Sequence, residues 1–167
     1  MVNVFIYISL SLCLVFWPIQ LENNSGNYDF TSIEKAKNHS LGKELWLSVD
    51  EGGKLFNRVY ESTSDAVMIL IHGSGTDSRY LSDLANQIAN DNIATVVTPD
   101  IRGHGKNEGE KGFIEYIGQL ENDLEYLIAY CKEELQAKKV ILAGHSSGGG
   151  FVLRFIGNPA NTKIDQA

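Results

Sequence analysis

The sequence is poor in cysteine and in basic residues, and each shortage excludes a class of protein. Its two cysteines, Cys13 and Cys131, imply no disulfide framework. No CxxC motif or His/Cys cluster with ligand spacing occurs, so we predict no metal site and no need for a cofactor. A formal net charge of −7 argues against a nucleic-acid partner, because phosphate binding needs a basic face. What remains is ordinary globular composition, with 43% hydrophobic and 21% charged residues.

The N-terminus carries a long apolar run, VNVFIYISLSLCLVFW, at residues 2–17. The run is shorter than the roughly 20 residues of a membrane-spanning helix and fits a signal-peptide core better. It therefore predicts a signal peptide or membrane anchor over residues 1–20, with export or membrane association through residues 2–17. The alternative is a buried N-terminal segment in a cytoplasmic protein. Residues 21–40 are polar and predict a linker, which leaves residues 41–167 for the folded domain.

Hydrophobic periodicity in residues 41–167 predicts alternating strands and helices. Alternation predicts a strand over 43–49 that pairs with 54–61 as a hairpin around Gly52 and Gly53. Continuous apolar runs predict buried strands, and 3.6-residue spacing predicts helices that follow them. These are strands at 66–71, 93–98 and 140–143, and helices at 79–90, 113–136 and 151–156, with Ile117 on the core face of the second helix. The class is α/β, with a mostly parallel sheet covered by helices on both faces.

The strand over 140–143 runs directly into Gly144-His145-Ser146-Ser147-Gly148, and an apolar helix follows. A G-x-S-x-G pattern between strand and helix is typical of a catalytic serine held at the tip of a strained turn. Glycine is required two residues on either side, where a side chain would collide with the neighbouring strand and helix. The pattern favours Ser146 as a nucleophile over the alternative of a simple glycine-rich turn.

A second loop, His72-Gly73-Ser74-Gly75, follows the AVMILI strand. An oxyanion hole needs two convergent N–H groups, and the backbone N–H groups of Ser74 and Ser147 are the natural pair. We expect His72 to stiffen this loop rather than act as a base. The same structural role is the expectation for Asp100 and His104 in TPDIRGHGKNEG, the alternative being an acid and base for Ser146.

Three blocks resemble the monoacylglycerol lipase and lysophospholipase branch of the α/β-hydrolases, often grouped as serine aminopeptidase-like. They are IHGSGTDSRYLSDLANQIA, TPDIRGHGKNEGEKGFIEYIGQLENDLEYLI and VILAGHSSGGGFVLRF, which extend over about residues 66–156. The resemblance implies the N-terminal part of the α/β-hydrolase fold and a small lipid or ester substrate. It also implies Ser146 as nucleophile, with Ser74 and Ser147 at the oxyanion hole. Ser147 departs from the family pattern, in which many members have Met.

The triad order in this fold is Ser, then Asp or Glu, then His, yet no histidine follows Ser146. The expectation is therefore a partial hydrolase domain whose triad acid and base are missing, with the 140–143 strand left as an open sheet edge. Two alternatives to an ester hydrolase stay open: a serine peptidase, and a catalytically inactive fragment or non-enzymatic partner-binding protein.

Overall fold

The computed structural model describes Tyr7 and residues 41–49 and 53–167. The chain divides into two compact units, Met1–Asn38 and His39–Ala167, and the fold that carries Ser146 lies in the second. The predicted leader and the linker up to residue 40 lie outside the described residues, except for Tyr7 in a helix. Among the helices that the structure describes, none is long and apolar enough to cross a membrane.

Five strands of the described chain form one sheet in the order β1-β2-β4-β3-β5. They are β1 (Lys43–Ser48), β2 (Lys54–Tyr60), β3 (Ala66–Ile71), β4 (Thr95–Pro99) and β5 (Lys139–Gly144). The β1–β2 hairpin is antiparallel, and β2 pairs antiparallel with β4. Strand β3 pairs parallel with both β4 and β5. The predicted hairpin and parallel sheet are confirmed.

The helices follow β3, β4 and β5. They are a short 3-10 helix (Ser78–Leu81), α1 (Ser82–Asn90), α2 (Gln119–Glu133) and α3 (Ser147–Gly157). The prediction of a single helix over 79–90 was wrong for its first turn, which is the 3-10 helix. The strand predicted from Ile93 begins two residues later, and Ile93 itself is exposed.

The helix predicted over 113–136 was wrong at its start. Gly118, which directly precedes α2, has φ +101°, a left-handed conformation that an α-helix does not continue through. The segment before it forms turns, and Ile117, predicted to face the core, is 89% exposed. Apolar residues at helical spacing therefore extended the prediction past a break that only the backbone angle reveals.

Side chains on the two faces of β3 enter two separate cores, because successive residues of a strand point to opposite faces. Val67, Ile69 and Ile71 pack with buried residues of α2 and α3. Leu70 packs on the other face against α1. Helices thus cover both faces of the parallel part of the sheet, as predicted, and the carboxyl ends of β3 and β5 lie side by side.

The edge of β5 is partly paired, which corrects the expectation of an open edge at 140–143. Asp165 accepts a hydrogen bond from the Val140 N–H through its carboxylate at 2.8 Å and donates its own N–H to the Val140 carbonyl at 3.2 Å. The Leu142 N–H donates to the Gln166 carbonyl at 2.9 Å. A parallel bridge between Ile141 and Gln166 thus satisfies polar groups of an edge strand that otherwise invite association.

Candidate active site

Ser146 lies at the tip of the turn between β5 and α3, which we call the Ser146 turn (residues 144–148). Its backbone has φ 55° and ψ −120°, a sparsely populated conformation for a residue with a side chain. Such strain persists only where the surroundings hold it, and it is concentrated at functional sites. Ser146 is exposed to solvent, as an attacking hydroxyl has to be.

Two glycines make the Ser146 turn possible by leaving room for neighbouring backbone. A Cβ on Gly144 would lie 2.3 Å from the carbonyl carbon of Gly148. A Cβ on Gly148 would lie 2.5 Å from the carbonyl oxygen of Ile71, at the end of β3. The packing reason given for these glycines from sequence therefore matches the geometry of the turn.

The loop after β3 (residues 72–76) lies against the Ser146 turn, and we call it the oxyanion loop after the role predicted for it. The Ser74 N–H donates a 2.7 Å hydrogen bond to the side-chain oxygen Oγ of Ser147, the first residue of α3. The first N–H groups of a helix have no partner inside it, and the helix dipole places partial positive charge there. The structure thus places the Ser74 N–H beside the start of α3, and an oxyanion hole formed by the Ser74 and Ser147 N–H groups stays a prediction.

His72 is fully buried at the start of this loop, and both of its ring nitrogens are engaged. The Ile101 N–H donates to His72 Nε2 at 3.0 Å, so Nδ1 carries the proton and donates to the Gly73 carbonyl at 2.7 Å. Burial lowers the His72 pKa from its usual 6.5 and favours this neutral form. Because neither nitrogen faces Ser146 as a free acceptor, the structural role predicted for His72 agrees with the geometry.

Asp100 and His104 are also held in structural contacts. The Asp100 carboxylate accepts from the Ser78 N–H at 2.7 Å and the Lys106 N–H at 2.8 Å. His104 Nδ1 lies 3.2 Å from the Arg102 carbonyl oxygen, within hydrogen-bond distance. The geometry therefore favours the structural reading over an acid–base pair for Ser146.

Two features of the site give no signal in the sequence. One is the Ser147 hydroxyl, since the G-x-S-x-G pattern points only to the backbone N–H of Ser147. The other is Tyr80, whose ring lies 5.3 Å from the ring of His145, the residue before the nucleophile candidate. Both contacts join residues far apart in the chain. A loop and a turn that meet only in the folded sheet give no local pattern.

Two cavities in the described part of the chain are lined by residues other than Ser74, Ser146 and Ser147. A polar cavity of about 210 Å³ lies beside the start of α2 and is lined in part by Arg102, Tyr116 and Asp123. A smaller, mostly apolar one lies between the sheet and α2. No group of three His, Cys, Asp or Glu side chains that could hold a metal ion occurs within residues 41–49 and 53–167.

Comparison with known proteins matches this sequence to one family. The profile of the family described as serine aminopeptidase, S33, matches residues 62–166, which include Ser74, Ser146 and Ser147. The monoglyceride lipase homolog of Monkeypox virus is 32% identical over 95 residues, which are 56% of this chain and 34% of that protein.

Solved structures agree on the fold. A soluble variant of monoglyceride lipase from Saccharomyces cerevisiae superposes with a TM-score of 0.61 at 24% identity, covering 71% of this chain and 39% of that one. The Pyrococcus furiosus esterase Pf2001 gives 0.60 at 18% identity, covering 81% and 52%. The chain thus spans about a third of the viral relative and about half or less of these structures. With most of its length matched by the profile, the chain belongs to the serine aminopeptidase (S33) family of α/β-hydrolases and resembles the monoglyceride lipases within it.

Proposed function

We propose that the chain carries the nucleophile and oxyanion hole of a serine hydrolase that cleaves carboxylic esters of the monoacylglycerol or lysophospholipid type. Ser146 attacks the acyl carbon and its oxygen forms the ester bond of an acyl-enzyme, while the C–O bond of the substrate breaks and the departing alcohol takes up the proton that Ser146 loses. Water then adds to the acyl carbon, releases the carboxylic acid and returns a proton to Ser146. The Ser74 and Ser147 backbone N–H groups stabilise the charge that develops on the carbonyl oxygen. Each such donor is worth about 3 kcal/mol of transition-state stabilisation.

The observation that carries this proposal is the conformation of Ser146. Ser146 has φ 55° and ψ −120° and is exposed between a buried strand and a helix start, and residues strained in this way are concentrated at functional sites. The Ser74 N–H is a hydrogen-bond donor beside the Ser146 turn, because it donates to the side chain of Ser147, the residue after Ser146. Strain and donor together fit acyl transfer.

The ester substrate is supported by the viral relative, which is named a monoglyceride lipase homolog. The family description names aminopeptidases, so peptide bonds are the competing substrate. Medium-chain monoacylglycerols and lysophosphatidylcholine, assayed beside amino-acid anilides, separate the two. Faster turnover of the anilides would reverse the substrate assignment.

We assign no proton acceptor among the described residues, because the His72 ring is fully engaged and Asp100 and His104 are held in structural contacts. An adjacent base is what makes a serine a strong nucleophile. The N-terminal run at residues 2–17 supports export or membrane association, which would bring the site close to lipid esters.

A fluorophosphonate probe tests the nucleophile, because it phosphonylates an activated serine irreversibly. We expect mass spectrometry of the labelled chain to place the adduct on the Ser146 peptide, and expect Ser146→Ala to remove it. Ser62→Ala is the control, since Ser62 lies before β3, at the opposite end of that strand from the oxyanion loop. Labelling that persists in Ser146→Ala, or folded chain that is never labelled, would refute the assignment.

A further inference from the structure

The Ser147 side chain accepts the hydrogen bond of the Ser74 N–H, the donor assigned above to the oxyanion hole. Its Oγ lies 2.7 Å from the Ser74 nitrogen and accepts that N–H, within the range of an ordinary hydrogen bond. An N–H group has one proton to donate, so a carbonyl oxygen cannot receive a full hydrogen bond from Ser74 while Oγ holds it. We propose that the Ser147 hydroxyl is an internal occupant of the oxyanion hole, which the substrate has to displace.

This inference rests on the proposed function, since it concerns the same hole. It adds a role for the Ser147 side chain, beyond the backbone N–H. The family resemblance pointed to Met at this position in many members, and a thioether is only a weak acceptor. A hydroxyl at this position therefore gives this chain a contact that its resemblance to the family does not explain.

The contact could instead be a support that holds the oxyanion loop in place, but the loop is held from its other side. The Gly73 carbonyl accepts a hydrogen bond from Thr76 Oγ1 at 2.9 Å and another from His72 Nδ1 at 2.7 Å. His72 is in turn held by the Ile101 N–H. These contacts orient the peptide unit that contains the Ser74 N–H, so removing the Ser147 hydroxyl leaves the donor in position and unoccupied.

The Ser147 hydroxyl can rotate away from the Ser74 N–H. Ser147 is exposed at the first position of α3, and a serine side chain moves between staggered rotamers at small cost where space allows. A neutral hydroxyl is a weaker acceptor than an oxyanion, because charge-assisted hydrogen bonds are about twice as strong. Displacement is therefore least favourable for the neutral substrate carbonyl and becomes favourable as charge develops on its oxygen.

The first measurement addresses the contact itself and needs no activity. In ¹⁵N-labelled protein we expect Ser147→Ala to shift the Ser74 amide proton upfield and to speed its exchange with solvent. Ser62→Ala should leave that resonance unchanged. If the Ser74 amide is the same in Ser147→Ala as in the unsubstituted chain, the contact is absent in solution. The inference then fails, whatever becomes of the proposed function.

The second measurement is the rate at which the fluorophosphonate labels Ser146. We expect Ser147→Ala to be labelled about three to ten times faster, the factor that corresponds to loss of one competing hydrogen bond of ordinary net strength. Ser147→Thr keeps a hydroxyl and should be labelled more slowly than Ser147→Ala. Equal or slower labelling of Ser147→Ala, with Ser146 still the labelled residue, would overturn the inference and leave the proposed function standing. If neither chain is labelled, both fail.

Discussion

The Ser146 turn and the loop after β4 are both rich in glycine, but they are held by different means. The Ser146 turn is held by backbone that approaches too closely for any side chain, at Gly144 and Gly148. The loop after β4, which we call the β4 loop (residues 100–107), is organised around one buried carboxylate. The Asp100 carboxylate accepts hydrogen bonds from the Ser78 and Lys106 N–H groups. The backbone carbonyl of Asp100 accepts another from Asn107 Nδ2 at 2.6 Å.

The comparison shows that glycine serves two purposes in this chain. In the Ser146 turn, glycine lets α3 approach the ends of β3 and β5, and Ser146 takes up the strained backbone conformation between them. In the β4 loop, Gly105 has φ +58°, and a Cβ there would lie 1.9 Å from Asp100 Oδ2. That glycine makes room for a side chain. Adding a methyl group should therefore destabilise the Ser146 turn, and removing the Asp100 charge should destabilise the β4 loop.

The largest expected effect is that of Gly148→Ala. The added methyl would lie 2.5 and 2.6 Å from the carbonyl oxygens of Ile71 and His72, which belong to backbone and cannot rotate away. Overpacking against backbone should lower the free energy of unfolding by more than about 3 kcal/mol, measured by urea denaturation. Denaturation midpoints that differ by less than the error would show that β3 and α3 can separate, and would remove the packing account of the turn.

Gly150→Ala is the matched control, because it adds the same methyl two residues further along α3. Apart from its chain neighbours and the backbone of its own helix, no atom lies within 4 Å of the added Cβ. Alanine loses less conformational entropy than glycine in a helix, so this variant should be stabilised by about 0.5–1 kcal/mol. If the free energy of unfolding falls in Gly148→Ala and rises in Gly150→Ala, the loss in Gly148→Ala comes from close backbone approach and not from helix propensity.

The next effect is that of Asp100→Asn in the β4 loop. The Asp100 carboxylate accepts hydrogen bonds from two N–H groups, and in the variant the amide NH₂ would face one of them. Because Asp100 is buried, that N–H group would lose its partner. The loss should be about 2–3 kcal/mol, since an unsatisfied buried donor costs about as much. Asp65→Asn is the control: Asp65 is exposed and only 3.3 Å from Lys138 Nζ, and surface pairs contribute less than about 1 kcal/mol. Equal losses in the two variants would contradict the central role of Asp100.

The same contrast explains what could be predicted from sequence. The Ser146 turn was predictable because its cause is local: two glycines around one serine, between an apolar strand and an apolar helix. The contacts of Asp100 and of the Ser147 hydroxyl were not, since each joins positions that meet only after the sheet has formed. The start of α2 was mispredicted for a third reason. Residues 113–117 have helical spacing, and nothing in that spacing reveals the left-handed Gly118.

The smallest expected effect concerns His72, which connects the two regions by donating to the Gly73 carbonyl and accepting from the Ile101 N–H. Burial lowers its pKa below 6.5 in the folded chain, whereas in the unfolded chain it titrates near 6.5. Between these two values the unfolded state binds more protons, so stability falls as the pH drops below about 6.5.

Protonated His72 could no longer accept from Ile101, and the link between the oxyanion loop and the β4 loop would break. The expected loss is at most about 1.4 kcal/mol per pH unit, measured as urea midpoints between about pH 7.5 and 5.5. His72→Gln should be less stable throughout but show a flatter dependence over this range. The pKa values of the Glu44 and Asp77 carboxyls are lowered in the folded chain, so these groups also contribute to stability. Their contribution to stability is lost only below about pH 4.5, outside the range of the His72 measurement. An unchanged slope in His72→Gln would mean that the pH dependence comes from another titrating group and not from His72.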